Sequence, residues 1–320
     1  GEPAVEASAD APVLSEASHP ENGWEYDAAS NRWFYYLNSA PVKGWFYTGG
    51  FWYWFDNEGV MAVGLTECAG GRYLLNAGDD ASIPYGAMRL GWAACDDGWR
   101  FFNASGAMER CWLFDGSNWY WLDSETGVMA TGVTQCGSSL YCFNASGSMA
   151  VGWACDGGVW YYAAPSGELQ GGWQHVWGAW YWLDPSTKAM ATGLVNDGSN
   201  LYAIGASGAM QTGWALVDGV WYHAAESGVL DAGWYWGGSH WYWLDEATGR
   251  MASSGWYDCD GTRSWFNASG VWVDVSGSVL GVSRQRLLEQ LISHENDSYY
   301  LGTRYDTSLN PVSCTYPNGE

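Results

Sequence analysis

Tryptophan is the residue type whose spacing in this sequence could do chemistry. Among 320 residues there are 25 Trp and 21 Tyr, and many recur in the order seen at residues 172–190, GWQHVWGAWYWLDPSTKAM. In a strand, Trp180 and Trp182 would lie on one face and Tyr181 on the other. The face of an indole ring attracts cations, but aromatic residues at strand spacing also build hydrophobic cores. The pattern therefore leaves two roles open for these rings, ligand contact and core.

The other reactive residue types show no arrangement of their own. No pair of cysteines has CxxC spacing, and eight cysteines leave about 105 full pairings open. His175, His223, His240 and His294 have neither metal-ligand nor triad spacing. We therefore expect structural thiols, free or locally paired, and no metal, cofactor or catalytic residue. The cysteines are Cys68, Cys95, Cys111, Cys136, Cys142, Cys155, Cys259 and Cys314.

Charge and composition exclude several classes of partner. The formal net charge is −23, and only 15 % of residues are charged. Nucleic acids and anionic membranes are bound through basic patches, so neither is expected as a partner. No apolar run approaches the roughly 20 residues of a membrane helix, and we expect no membrane insertion. Because the chain begins with Gly, we expect that a leader has been removed or that the sequence is a fragment.

A short repeat organises most of the chain. Each copy opens with Gly or its equivalent, turns at a second Gly, and continues through an aromatic strand. A lone hairpin is marginal in water, so each must stack on its neighbours. We therefore predict an all-β fold, a β-solenoid of about twelve stacked β-hairpin repeats of roughly 20 residues. The first residues of the repeats are at 23, 44, 64, 91, 111, 132, 152, 172, 193, 213, 233 and 255.

The repeats fall into three classes that alternate along the chain. Those at 44, 111, 172 and 233 contain Trp-Tyr-Trp, those at 64, 132 and 193 open Gly-Leu or Gly-Val, and those at 91, 152 and 213 open Gly-Trp-Ala. A period of three units is what a solenoid with three hairpins per turn would produce. We state this geometry as a hypothesis.

The segments that flank the repeats lack the pattern. Residues 1–22 are rich in Ala, Glu, Ser and Pro, which predicts a flexible acidic leader. Residues 23–274 form the predicted repeat domain. Residues 275–320 are predicted to hold a linker, a short helix from Arg284 to about His294 capped by Ser283, and the incomplete start of a C-terminal domain.

The repeats resemble a known family. The segments GWACDGGVWYYAAPSGEL (152–169), GWALVDGVWYHAAESGVL (213–230) and GWYWGGSHWYWLDEATGRM (233–251) are similar to the choline-binding or cell-wall-binding repeats of bacterial surface proteins. Related forms occur in glucan-binding proteins and in clostridial toxins. The resemblance covers about residues 23–274 and implies a β-solenoid that serves as an attachment module. Residues 283–320 resemble more weakly the opening of NlpC/P60-like cell-wall hydrolase domains, whose catalytic Cys and His would lie beyond Glu320.

The resemblance implies which rings form the ligand sites. In such repeats, aromatic residues of consecutive hairpins enclose a quaternary ammonium group, with about 0.5 to 2 kcal/mol per ring. The matching positions are the Trp after the opening Gly, here called the first Trp, and the Trp before Tyr, the second Trp. The implied pairs are Trp112 with Trp119, Trp153 with Trp160, Trp173 with Trp180, Trp214 with Trp221, and Trp234 with Trp241, and the candidate further walls are Trp121, Tyr162, Trp182 and Trp243.

Three repeats depart from this pattern and are not expected to hold a ligand. Leu65, Val133 and Leu194 replace the first Trp, and Arg72, Leu140 and Leu201 replace the second. We predict that the chain is a non-catalytic, secreted and cell-wall-associated module that binds choline or a similar cationic substituent of a cell-envelope polymer. The alternatives are a module that binds a neutral glycan, the binding part of a truncated cell-wall peptidase or amidase, and a structural spacer.

Overall fold

The computed structural model describes residues 19–274 and four two-residue strands after them. Most of the predicted leader, the predicted helix from Arg284 to about His294, and Cys314 lie outside the described residues. The weak resemblance to a hydrolase domain also falls mainly on that part of the chain.

Antiparallel hairpins of aromatic strands make up the described part of the chain, in which no helix occurs. Twelve hairpins follow one another between residues 23 and 266, and each is named here by the number of its first residue. Hairpins 23 and 255 each carry a short third strand. The strands are β1 (Gly23–Asp27), β2 (Arg32–Leu37), β3 (Ala40–Pro41), β4 (Gly44–Thr48), β5 (Phe51–Phe55), β6 (Gly64–Cys68), β7 (Gly71–Leu75), β8 (Gly91–Cys95), β9 (Gly98–Phe102), β10 (Cys111–Phe114), β11 (Trp119–Leu122), β12 (Gly132–Cys136), β13 (Ser139–Phe143), β14 (Gly152–Asp156), β15 (Val159–Ala163), β16 (Gly172–Val176), β17 (Ala179–Leu183), β18 (Gly193–Asn196), β19 (Leu201–Ile204), β20 (Gly213–Val217), β21 (Val220–Ala224), β22 (Gly233–Trp236), β23 (Trp241–Leu244), β24 (Gly255–Cys259), β25 (Thr262–Phe266), β26 (Trp272–Val273), β27 (Ser278–Val279), β28 (Val282–Ser283), β29 (Arg304–Tyr305) and β30 (Pro311–Val312).

The predicted hairpin array is confirmed. Each of the twelve predicted first residues begins a strand. The tight turns have the expected chemistry: in hairpin 172, Trp177 and Gly178 both have positive φ, at 51° and 85°. Two consecutive positive φ values give the turn whose twist matches that of paired strands. The sequence therefore predicted both the position and the turn of these hairpins.

The segment between two hairpins, called here the link, folds back on its own hairpin. In the link after hairpin 172, the Asp184 carboxylate accepts hydrogen bonds from the N–H groups of Ser186 and Thr187, at 2.9 and 2.7 Å. The Ala191 N–H then donates to the carbonyl of Trp182, at 2.9 Å. The link thereby lies as a short extra strand beside the hairpin that precedes it in sequence.

Where a link contains a Met at this position, that Met also reaches one hairpin further back. The N–H of Met149, in the link after hairpin 132, donates to the carbonyl of Trp119 in hairpin 111 at 2.8 Å. The N–H of Met190 makes the same bond to Trp160, and that of Met251 to Trp221. Successive hairpins are therefore joined by backbone hydrogen bonds as well as by side-chain packing.

One position of the repeat supplies the most deeply buried large residues of the hydrophobic core. The last residue of the second strand is fully buried in most hairpins, as for Phe55, Phe102, Leu122, Leu183 and Leu244, each 0 % exposed. The ends of these strands face inward because alternation fixes which residues share a face. The first Trp of a pair also packs against buried residues, since Trp173 lies against the cluster of Val195, Tyr202 and Ile204.

The chain divides into two compact units. One comprises Gly1–Gly157 with Ala163–Glu168, and the other comprises Gly158–Tyr162 with Leu169–Glu320. The aromatic sites analysed below are each described within one unit.

Candidate aromatic ligand sites

Three rings and a thioether form a cavity in the first unit. The first and second Trp of hairpin 111, Trp112 and Trp119, meet edge to face with ring centroids 6.1 Å apart. Tyr141 lies at 4.8 Å from Trp112, also edge to face. With Met149, these three rings line a cavity of about 370 Å³, whose remaining lining residues are Pro165 and Ser166. We call such a group of two Trp rings and a third ring an aromatic site.

The hairpin register and the link place these side chains. Trp119 is paired with Phe114, so Trp112 and Trp119 lie on the same face of the two-stranded sheet, two residues apart along the ladder. Tyr141 is the middle residue of β13 and belongs to the next hairpin. Met149 is held by its N–H bond to the carbonyl of Trp119. A complete site therefore needs two consecutive hairpins, the link that follows them and part of the next link, here Pro165 and Ser166.

The same geometry recurs along both units. The two Trp rings of each site lie 6.1 to 6.5 Å apart, and the third ring lies 4.6 to 4.8 Å from the first Trp. In every case the third ring is the Tyr in the middle of the second strand of the next hairpin. The further sites are Trp45 and Trp52 with Tyr73, Trp173 and Trp180 with Tyr202, and Trp214 and Trp221 with Tyr242.

Hairpin 233 forms a variant of the site. Trp234 and Trp241 lie 6.3 Å apart, but the next hairpin has Ser264 where the other sites have Tyr. Trp272 of β26 lies 6.0 Å from Trp234 instead. The three Trp rings line a cavity of about 350 Å³.

The second Trp is half exposed in seven of the hairpins. The exposed fraction lies between 43 and 49 % for the second Trp of hairpins 44, 91, 111, 152, 172, 213 and 233. A ring that only filled a core would be buried, as the residues at the end of each second strand are. These ring faces are therefore available to a ligand.

The Trp residues predicted as further walls of the ligand sites lie across the hairpin from the first Trp. Trp121, Trp182 and Trp243 are directly paired across the hairpin with Trp112, Trp173 and Trp234. Their rings contact the first Trp at 5.2 to 5.4 Å. None of them lines the cavities described for hairpins 111 and 233. Trp243 is buried.

The predicted pair of hairpin 152 is divided between the two compact units. Trp153 lies in β14, whereas Trp160 and Tyr162 lie in β15. Trp160 is half exposed, and Tyr162 is half-buried. The role predicted for these three residues stays a prediction.

Sequence reasoning missed three sites and the third ring of every site. Trp45 and Trp52 fit the pattern already applied to the later hairpins, so the signal was present. In hairpin 91 the second Trp precedes Arg rather than Tyr, yet Trp92 lies 4.9 Å from Tyr120. In hairpin 23, Trp24 lies 6.2 Å from Trp33 and 4.9 Å from Tyr53. The third ring could have been found by comparing each hairpin with its successor.

The hairpins without the Trp pair complete the sites of their predecessors. Hairpins 64, 132 and 193 have no first Trp, but they supply Tyr73, Tyr141 and Tyr202 as third rings. Two of every three hairpins therefore carry a Trp pair, and the remaining one supplies the third ring of the preceding site.

Hairpin 255 holds a cation of its own on the first Trp. Arg263 replaces the second Trp, and its guanidinium carbon lies 4.9 Å from the centroid of the Trp256 ring. This distance is typical of cation–π contacts. The chain thus contains an internal example of a cation on the ring of a first Trp.

An ionised carboxylate lies close to the first Trp of one site. Hydrogen bonds from the backbone of Asn200 and Ser199 and from the Trp173 indole lower the pKa of Asp197 to about 2. The indole Nε1 of Trp173 lies 3.2 Å from the Asp197 carboxylate. Asp197 is therefore negatively charged at neutral pH beside the first Trp of an aromatic site, where a cation would be attracted.

The cysteines and the other candidate metal ligands of residues 19–274 form neither a disulfide nor a metal site. The seven cysteines in this range are free, and these residues contain no group of His, Cys, Asp and Glu that could hold a metal ion. No helix long and apolar enough to cross a membrane occurs among the residues that the structure describes.

Comparison with known proteins confirms the resemblance of the repeats. Residues 112–129, 151–169 and 212–230 match a family described as a putative cell wall binding repeat, of the choline-binding type. A search of curated proteins found no match. Neither comparison supports the resemblance of residues 283–320 to NlpC/P60-like domains.

A solved structure shows a related fold, and further solved structures are similar to part of this chain. Choline binding protein F from Streptococcus pneumoniae, solved with a peptidoglycan analogue, is 24 % identical, with 80 % of this chain and 100 % of that chain covered and a TM-score of 0.50. The autolysin LytC from Streptococcus pneumoniae is 23 % identical over 79 % of this chain and 52 % of its own, with a TM-score of 0.48. The choline-binding domain of CbpL from the same organism is 28 % identical over 58 % of this chain and 98 % of its own, with a TM-score of 0.40.

Proposed function

Because this chain contains putative cell wall binding repeats, we propose that it is a non-catalytic attachment module that binds choline or a similar cationic substituent of a cell-envelope polymer. We further propose that it is secreted and associated with the cell wall, where such a polymer is accessible. Each unit would be a β-solenoid of stacked hairpins, as the repeated bonds from link to preceding hairpin suggest.

The observation that carries the proposal is the recurring aromatic site. Its rings meet edge to face, so several ring faces surround one cavity rather than stacking on each other. A quaternary ammonium group has no hydrogen-bond donor, and ring faces can therefore replace its water without leaving a polar group unsatisfied. The half-exposed second Trp leaves the cavity open to a substituent that remains attached to a polymer.

Charge favours a cationic ligand over a neutral one. The chain has 35 acidic and 12 basic residues, and the ionised Asp197 lies beside Trp173. A negative potential raises the local concentration of cations and lowers that of anions. The contact between Arg263 and Trp256 supports the same preference.

A neutral glycan is the second candidate function. Exposed aromatic residues other than the pairs, such as Tyr47, Phe114 and Trp236, lie beside the second Trp with ring centroids 5.0 to 5.2 Å apart. Flat exposed rings of this kind can stack on the apolar face of a sugar. A panel of glucans distinguishes this candidate, because it predicts binding without any cationic group.

The test compares choline with its neutral isostere, 3,3-dimethylbutan-1-ol, by isothermal titration calorimetry. We expect choline to bind and the isostere to bind at least about tenfold more weakly, because only choline gains cation–π attraction of more than about 1.4 kcal/mol from several rings. Equal affinity for the two compounds, or no heat with choline at any concentration, would overturn the proposal.

A site variant connects binding to the rings. The double change Trp173→Ala and Trp180→Ala should remove one site from the choline stoichiometry while the circular dichroism spectrum stays that of the folded chain. Trp177→Ala is the matched control, since Trp177 lies in the turn of the same hairpin, is 89 % exposed, and belongs to no aromatic site. Loss of folding in the double variant would show instead that these rings are core residues.

The absence of catalysis is part of the proposal and has its own test. If the chain is the binding part of a larger cell-wall hydrolase, it should bind purified peptidoglycan that carries choline without cleaving it. Release of soluble muropeptides by the purified chain would contradict a purely binding role.

A further inference from the structure

Hairpin 213 has an imidazole ring directly across from the first Trp of its aromatic site. His223 is paired across the hairpin with Trp214. In six other hairpins that carry a Trp pair, the residue paired with the first Trp has an indole, phenol or phenyl ring, none of which takes up a proton to become a cation. These residues are Tyr35, Trp54, Phe101, Trp121, Trp182 and Trp243. Among these seven hairpins, the ring beside the first Trp can therefore become positively charged only in hairpin 213.

His223 is buried and has a carboxylate partner. Only 9 % of its surface is exposed, and its Nδ1 lies 2.6 Å from a carboxylate oxygen of Asp231, in the link that follows the hairpin. Because a carboxylate only accepts hydrogen bonds, Nδ1 carries the hydrogen in this bond. A further proton would be taken up by Nε2, and the imidazolium so formed would keep Asp231 as its counter-ion.

The carboxylate is as specific to this hairpin as the imidazole. The N–H of Asp231 donates to the carbonyl of His223 at 2.8 Å, and in the links after four other hairpins with a Trp pair the residue that makes this bond is alanine. These residues are Ala62, Ala130, Ala191 and Ala252. The imidazole and the carboxylate therefore occur together in hairpin 213, and these four hairpins with their links have neither.

Two aromatic rings also contact the imidazole. The Tyr235 ring of the next hairpin stacks on it with centroids 3.8 Å apart, and Trp214 meets it edge to face at 5.0 Å. The titratable groups with a described contact to His223 are thus Asp231, from the link, and Tyr235, from the next hairpin. Carboxylic acids and phenols ordinarily titrate near pH 4 and pH 10, whereas imidazole changes its charge between about pH 5 and pH 8. In that range the change of charge belongs to the imidazole.

We propose that His223 sets the affinity of the hairpin 213 site for a cation, and that protonation of His223 weakens choline binding there. The inference rests on the proposed function and assigns a pH dependence to one of its sites. Protonation places a positive charge against Trp214, whose face attracts the ammonium group, and neutralises the net charge of the pair with Asp231. Both effects reduce the attraction for a second cation. His223 thereby becomes at low pH what Arg263 is at every pH in hairpin 255, a cation of the protein's own beside the first Trp.

The experiment is a choline titration at about pH 8 and about pH 5 that resolves individual sites. The indole N–H signals of Trp221 and Trp119 are assigned by single Trp→Phe changes in the ¹⁵N-Trp-labelled chain. Choline keeps its charge at both values because its nitrogen is quaternary. At Trp221 the affinity should fall about threefold or more on acidification, since a charge within about 10 Å of the ligand is only partly screened. At Trp119, in the site where Trp121 replaces the imidazole, the affinity should change much less.

His223→Gln tests the residue directly. Glutamine keeps a hydrogen-bond donor but takes up no proton, so the fall at Trp221 should shrink to that seen at Trp119. His175→Gln is the matched control, because His175 is an exposed imidazole in hairpin 172, and its loss should leave the fall at Trp221 unchanged. The proposal is overturned if wild-type Trp221 and Trp119 respond equally to pH, or if His223→Gln leaves the fall at Trp221 as it is.

A reciprocal measurement needs no variant. If protonation and choline binding oppose each other, saturating choline must move the midpoint of the His223 imidazole titration to lower pH. The imidazole proton signal is identified by its cross-relaxation with the Tyr235 ring, 3.8 Å away. A midpoint that stays in place or moves to higher pH would overturn the inference.

The two proposals fail in different ways. If choline shifts neither indole signal at the higher pH, the proposed function itself is wrong. If choline shifts both signals and the two affinities respond equally to pH, only the present inference is wrong.

Discussion

In several links a single Asp or Asn side chain accepts hydrogen bonds from the backbone. The stability of a link held by Asp depends on pH, whereas that of a link held by Asn does not. Hydrogen bonds from Ser186 and Thr187 hold the pKa of Asp184 well below its usual range. Asn144 accepts the same kind of bonds in its link, at 2.9 Å from the Ser146 N–H and 3.1 Å from the Ser148 N–H. Asparagine thus performs this task without a titratable group.

The change Asp184→Asn should flatten the acid side of the stability curve. Because the folded-state pKa is lowered, the carboxylate contributes its full stability above the unfolded pKa of about 4, and loses it as pH falls through the folded pKa. Thermal unfolding of both proteins between pH 6 and pH 2 measures this. We expect wild type to lose more stability than the variant below about pH 4. Parallel curves for the two proteins would show that Asp184 does not stabilise the link through its charge.

The sequence was sufficient to predict the Trp pairs but not the third ring. Trp112 and Trp119 belong to one hairpin, so strand alternation and turn position bring them together. Tyr141 comes from the next hairpin, and its place depends on how two hairpins pack.

Links connect neighbouring hairpins through contacts that leave no room for a side chain. A methyl group on Gly147 would overlap the sulfur atom of Met129, which belongs to the preceding link. The same relation holds between Gly167 and Met149. The glycines of these two links therefore have a packing role in addition to their positive φ.

Gly147→Ala should destabilise the chain more than Gly152→Ala. Both glycines have positive φ, at 81° and 77°, but a methyl group at Gly152 would meet no atom within 4 Å. The control therefore carries only the cost of the backbone conformation, about 1 to 2 kcal/mol. Overpacking adds about 1 to 3 kcal/mol at Gly147. Urea unfolding measures the difference, and equal losses would mean that Met129 moves aside freely.

At the level of elements, the sequence predicted where hairpins begin but not how links are bonded. Periodic Gly-Trp pairs and turn glycines mark each hairpin locally. The bond from the Met149 N–H to Trp119 spans 30 residues and uses backbone atoms, which leave no trace in residue type. The predicted C-terminal helix lies outside the described residues and stays a prediction.

Across the whole molecule, a ligand at an aromatic site would join two hairpins. Each site takes two rings from one hairpin and one from the next, so bound choline would stabilise the contact between them. Ligands that bind only the folded state raise its stability, by about 2.7 kcal/mol per site at a concentration of 100 Kd.

Choline should therefore raise the melting temperature progressively, whereas 3,3-dimethylbutan-1-ol at equal concentration should raise it much less. Scanning calorimetry of the wild type and of the chain with Trp112→Ala and Trp119→Ala provides the measurement. The variant should show a smaller shift at saturation. An identical shift in the two proteins would indicate that hairpin 111 holds no ligand.

The backbone hydrogen bond from a link Met to the hairpin before its own also affects how such a chain can evolve. Since Met149 bonds to hairpin 111 and Met251 to hairpin 213 in the same manner, any repeat can follow another of the right class. Unequal recombination between gene copies could then add or delete repeats without redesigning the rest. Deleting three repeats at a time would preserve the order of Trp-pair hairpins and wall hairpins, whereas deleting one would bring mismatched neighbours together. Natural variants of such a chain should therefore differ in length mostly by multiples of about 61 residues, the spacing from hairpin 111 to 172 and from 172 to 233.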